Sequence, residues 1–134
     1  MTIRGIRGAT TIKIDSVENV LSATRELLIT IFEYNPQLKT KDIASAIFTT
    51  TEDINSTFPA LAARQIGWGQ VPMVCAREIP IPDSLPRCIR VLIHWNTNQT
   101  QNAIQHIYLH DAKTLRPDLM AYTSNPKKTE GGPA

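Results

Sequence analysis

Three prolines set close together, Pro80, Pro82 and Pro86, divide the stretch VPMVCAREIPIPDSLPRCIRVLIHW, Val71 to Trp95, more firmly than anything else in the chain. Proline has no N–H to give to a sheet ladder, so Ile79 to Pro86 reads as a connection and the runs on either side of it as strands. The second run alternates cleanly. Ile89, Val91, Ile93 and Trp95 fall on one face, and Cys88, Arg90, Leu92 and His94 on the other. An arginine on a largely apolar strand must find an anion or carbonyls, because a buried charge is tolerated only when paired. The two runs bring Cys75, Glu78 and Arg90 close together around the loop.

Upstream, TIRGIRGATTIKI reads as a strand with Ile3, Gly5, Arg7 and Ala9 on one side and Arg4, Ile6 and Gly8 on the other. Gly5 and Gly8 weaken a strand and usually permit close approach of another backbone or a ligand. Spacing alone favours for Arg7 a surface arginine on an edge strand over one that reaches across the uncrowded surface beside the glycines. Asp15 followed by Glu18 resembles a capping box, and Val17, Val20, Leu21, Thr24, Leu27, Leu28 and Ile31 then recur at helical spacing. That helix should stop near Tyr34, before Asn35 and Pro36. From Lys41 to Thr51 the apolar residues keep no clean period, and the β-branched run Ile47 to Thr51 tips the segment to a strand. Phe58-Pro59 opens a short helix with Pro59 at its first position and Gly67 just past its end. Arg64 lies on that helix, where spacing alone favours a solvated side chain, and Trp68 should be core or interface. A brief helical turn covers Gln101 to His106, and Ile107 to Leu109 is a short strand on which Tyr108 alternates with His106 and His110. Leu115 to Asp118 closes the ordered part.

A chain of 134 residues suits one domain. Residues 1–122 read as that domain, an α+β unit with a mixed sheet packed by one long and one short helix. The segment 123–134 reads as a flexible tail. The net charge of +2 is modest and the basic residues are spread out, which argues against nucleic acid. No apolar run approaches the ~20 residues of a membrane helix. Cys75 and Cys88 read as free thiols of a cytoplasmic protein. His94, His106 and His110 are not joined by further Cys or carboxylates at ligand spacing, so each is expected to be satisfied or exposed and no metal is expected. Cys75 as a nucleophile would need a histidine base that spacing does not reveal. No phosphate cradle is present, since RGIRGA lacks the lysine-serine ending. Several arginines, one glutamate, a tyrosine and a thiol remain, a set suited to holding a small polyanion.

Five motifs, IRGIRGATT, FPALAAR, VPMVCAREI, SLPRCIRVLIH and IYLHDAKTLRPDL, together resemble the monofunctional chorismate mutases of the mixed α/β, trimeric type. The resemblance spans Thr2 to Leu119 with the motifs in order. The all-helical class would need three long helices, which the prolines and strand pattern exclude. The resemblance implies a barrel-like homotrimer with active sites between subunits, and isomerisation of chorismate to prephenate in the biosynthesis of aromatic amino acids. This concerted rearrangement requires no cofactor. Residue by residue, the resemblance implies that Arg90 serves the ether oxygen and a substrate carboxylate. Arg7 serves a carboxylate near that oxygen, Glu78 and Cys75 face the ring hydroxyl, and Tyr108 binds the side-chain carboxylate. Phe58 and Arg64 would come from the neighbouring subunit, Val74 would line the site, and Leu115 and Arg116 would line or close its mouth. Leu61 stands where some members carry a lysine, so attraction of the dianion rests more on Arg64 and Arg116. The rival from another class is a non-catalytic trimer that binds a small acidic metabolite. A bare anion site, however, has no need of a carboxylate such as Glu78 beside Arg90.

Overall fold

In the computed structural model, which describes residues 2–115, the chain opens with strand β1 (Ile3–Thr11) and the long helix α1 (Val17–Tyr34). Strand β2 (Ile43–Thr50), the short helix α2 (Ala60–Gln65), and strands β3 (Met73–Arg77), β4 (Cys88–Asn96) and β5 (Ile107–Tyr108) follow. Single 3-10 turns occupy Thr40–Asp42, Gln101–Ala103 and His110–Thr114. Arg116, the end of the resembling segment at Leu119 and the tail from Thr123 lie outside the described residues.

The strands form one sheet in the order β3-β2-β4-β1-β5. β4 runs antiparallel to both neighbours, whereas β2 with β3 and β1 with β5 are parallel, so the sheet is mixed. The two runs flanking the proline loop are both strands, yet they do not pair with each other, because β2 lies between them. The fold is therefore α+β, one mixed sheet with two helices among the described residues.

The alternation of β4 is the sequence signature of a sheet covered on one side. Ile89, Val91, Ile93 and Trp95 are buried, and Arg90, Leu92 and His94 are half-buried on the opposite face. The covered face packs on Val20, Thr24, Leu27, Leu28 and Ile31 of α1, with Trp68 fully buried and edge-on to Phe32. Trp68 is thus core. Gly8 sits where α1 crosses β1: a Cβ there would come within 2.9 Å of Ile31 Cδ1 and 3.2 Å of Leu27 Cδ1. The close approach that this glycine permits is to a helix.

Local chemistry moved three expected features by small steps. The N-cap of α1 is Ser16, whose Oγ accepts from Asn19 N at 3.0 Å. Asp15 instead accepts from Asn55 N, Ser56 N and Ser56 Oγ, and these bonds hold its carboxyl below the ordinary value of 3.8. Pro59 precedes the first residue of α2 by one position. Gly67, with φ +104°, ends that helix in a Schellman arrangement, Trp68 N bonding Ala63 O and Gly67 N bonding Arg64 O. β2 begins at Ile43, earlier than its β-branched run. A bulge between Ile43 and Ser45 shifts the alternation by one residue, which is why the sequence showed no clean period there.

Candidate active site

The sheet face away from the helices carries the chemistry, and its register explains how residues far apart in sequence meet. One row of cross-strand partners runs Ala76 on β3, Thr49 on β2, Arg90 on β4, Ala9 on β1 and Tyr108 on β5. The next row runs Val74, Ile47, Leu92 and Arg7. Small residues beside Arg90 and a second row that is apolar up to Arg7 leave a concave floor. It bounds a cavity of about 280 Å³ lined by Arg7, Thr49, Glu78, Arg90, Tyr108 and Leu115 among others. Five of the expected site residues, all except Thr49, therefore converge in a single chain.

Glu78 follows Ala76 by two residues and so projects from the same face. Its N–H bonds Thr50 O at 2.9 Å, prolonging the ladder just beyond β3. One carboxylate oxygen, Oε2, accepts a hydrogen bond from the Thr49 hydroxyl and lies 3.6 Å from Arg90 Nε. That distance makes an ion pair and is too long for a hydrogen bond. Arg90 Nε is itself buried and has no hydrogen-bond partner among the described residues. Arg7 is held through its backbone, its N–H donating to His106 Nδ1 at 2.9 Å. Two guanidiniums against one carboxylate give the cleft an excess of positive charge. Behind Arg90, burial pushes the Cys88 thiol up, while the guanidinium pulls it the other way. Cys88, Ala9, Tyr108 and Ala112 form a small apolar cluster with Leu85 and Leu115, and this cluster seats the rim of the cleft.

Cys75 is elsewhere. In the parallel register it pairs with Phe48, on the helix side of the sheet, whereas Glu78 belongs to the open side. The expectation that Cys75 and Glu78 face one point within a chain is corrected, because an odd spacing along a strand puts two side chains on opposite faces. Cys75 lines a second cleft, about 340 Å³, together with Phe58 and Pro59. Phe58 is 68% exposed. Arg64 is exposed on α2, and Val74 is 60% exposed on the edge strand. The pattern also missed Arg77, which clamps the loop before Phe58 by donating to Thr51 O, Ile54 O and Asn55 Oδ1.

Each histidine has a protein partner. His94 Nδ1 meets Ser45 Oγ at 3.0 Å and His110 Nε2 meets Glu26 Oε1 at 2.8 Å. His106 and Tyr108 are buried. Among the described residues no group of three His, Cys, Asp or Glu side chains could hold a metal ion, and no helix is long and apolar enough to cross a membrane.

Comparison with known proteins adds an independent line. A family model described as chorismate mutase type I matches residues 3–119. The chain is 53% identical over 117 residues to chorismate mutase AroH of Thermus thermophilus, a match covering 87% of this chain and 96% of that relative. It is 42% identical over 120 residues to chorismate mutase AroH of Bacillus subtilis (strain 168), covering 89% and 94%. A solved structure of a chorismate mutase from Clostridium thermocellum is 43% identical, with a TM-score of 0.80 over 82% of this chain and 97% of that one.

Proposed function

The chain belongs to the chorismate mutase type I family, and we propose that the Arg90 cleft is where it isomerises chorismate to prephenate. The reaction breaks the enolpyruvyl ether C–O bond as a C–C bond forms to the ring, with every electron pair moving inside one molecule. A protein can contribute by holding the reactive diaxial, chair-like conformer and by stabilising the negative charge that grows on the ether oxygen. Arg90 donates to that oxygen and to a substrate carboxylate, which its planar fork allows. Arg7 and Tyr108 hold the carboxylates, and Glu78 accepts from the ring hydroxyl. The carrying observation is the placement of Arg90: Nε buried without a hydrogen-bond partner among the described residues, 3.6 Å from Glu78 Oε2, on the floor of a cleft.

The working unit is a homotrimer in which the Phe58 cleft of one copy caps the Arg90 cleft of the next. The exposure of Phe58 and Val74, and the location of Cys75 beside Phe58, support this reading. Phe58 packs on the substrate ring, Arg64 and Cys75 approach from the same side, and Val74 lies at the seam. Leu115 lines the mouth. Two free thiols suit a reducing compartment and support a cytoplasmic location.

The test is the loss of chorismate absorbance, followed by mixing of variants. Arg90→Gln and Arg64→Ala damage opposite halves of the shared site. Each should be weak alone, and co-refolded in equal amounts they should regain about a quarter of the native sites, the share expected for random neighbours in a closed ring. No recovery on mixing would refute the shared site. Binding of chorismate with no fall in absorbance would favour the non-catalytic reading.

A further inference from the structure

We propose that Thr49 is a positioning residue whose hydroxyl keeps Glu78 from neutralising Arg90; the inference rests on the reading of the cleft given above. Thr49 occupies the centre of the site in the strict sense of the register. It is the cross-strand partner of Arg90 on one side and of Ala76 on the other, and Glu78 lies two residues beyond Ala76 on the same face. Glu78 Oε2 has two neighbouring donors, the Thr49 hydroxyl and Arg90 Nε. The hydroxyl takes the hydrogen bond, and Arg90 Nε stands off at 3.6 Å.

The competition matters because of what each donor would do to the site. A carboxylate and a guanidinium left to themselves close into a bidentate, charge-assisted pair, which is shorter and stronger than the bond to a hydroxyl. Such a pair would hold the Arg90 fork against Glu78, turned from a substrate oxygen, and occupy the lone pairs of Glu78. Thr49 is thus the neutral group that lets two opposite charges share a cleft while both stay available. Nothing in the spacing of the sequence marks this threonine, since only the order β3-β2-β4 puts it between them.

The experiment is steady-state kinetics of chorismate loss for Thr49→Val, Thr49→Ser, Glu78→Gln and the Thr49→Val/Glu78→Gln double variant. Valine keeps the branched shape and strand preference of threonine and removes only the hydroxyl. Thr49→Val should lower kcat on the order of ten- to a hundredfold, the size of a lost hydrogen bond to a charged group. Thr49→Ser should restore turnover to within about threefold of native, because the hydroxyl is retained. In the Glu78→Gln background, where the charged pair cannot form, adding Thr49→Val should cost less than about twofold, a coupling that a purely packing role would not give. A crystal structure of Thr49→Val should show Glu78 and Arg90 drawn to hydrogen-bond distance. Native kcat in Thr49→Val, failure of Thr49→Ser to rescue, or full multiplication of the two losses in the double variant would each overturn the inference while leaving the cleft assignment intact. Native kcat in Glu78→Gln would overturn the role of Glu78 itself, and the inference with it.

Discussion

Replacing Arg90 separates catalysis from folding in a way that the geometry makes quantitative. The side chain is 39% exposed and its partner Glu78 27% exposed, and their closest approach is 3.6 Å. A partly solvated ion pair of that length contributes no more than ~1 kcal/mol to stability, so Arg90→Gln and Arg90→Lys should lower the melting temperature by only a few degrees. The transition state is affected far more. Charge accumulates on the ether oxygen only as the bond breaks, so a donor aimed there binds the transition state better than the substrate. Deleting one such donor from a preorganised site costs about 10²–10³-fold in kcat, or ~3–4 kcal/mol. Lysine keeps a charge but loses the planar fork that serves two oxygens at once, so Arg90→Lys should still be badly impaired, with Arg90→Gln worse. Kinetics on each folded variant, with thermal unfolding alongside, measure both quantities. Near-native kcat with only a raised KM would make Arg90 a uniform binding residue and refute the reasoning.

Three further outcomes follow from particular atoms. A thiol reagent at neutral pH should spare Cys88, whose thiol is buried and pushed up; reaction of Cys88 in the folded native protein would contradict the burial. Gly8→Val should destabilise by ~1–3 kcal/mol in denaturant unfolding, since its side chain meets Ile31 and Leu27, while Gly5→Ala, 3.5 Å from Leu92 Cδ1, should fold normally. Asp15 has its carboxyl lowered by Ser56 and Asn55, so its contribution is present above the ordinary value of 3.8 and lost as pH falls through the lower folded value. Asp15→Asn should therefore be less stable than native at pH 7 and converge with it in acid; a gap that persists at low pH would show that charge plays no part.

What could be read from the sequence was whatever repeats along a single strand or helix. β4 was legible because one of its faces packs on α1 and the other does not, which forces strict alternation. The length of α1 was legible from its stripe and from Asn35. Residues 43–48 were not, because the bulge after Ile43 breaks the period. The odd spacing of Cys75 and Glu78 did carry a signal: three residues apart on a strand means opposite faces. Thr49 carried none. Its importance is a matter of which strand lies beside which, and no local pattern states that order.

The edge strand β3 bears on the assembly proposed above. β3 pairs only with β2 among the described residues, and Val74, Cys75, Ala76 and Arg77 are all exposed. Just beyond its end Glu78 lines the Arg90 cleft, and its own Cys75, Ala76 and Arg77 line the Phe58 cleft. A strand open on both sides at a sheet edge is a surface that a soluble protein ordinarily covers. Covering it with a second copy would bring a Phe58 cleft toward an Arg90 cleft, and in a closed ring every subunit would give one half and receive the other. The separation of Cys75 and Phe58 from Glu78 and Arg90 within the single chain is then the geometry that a site shared between neighbours requires.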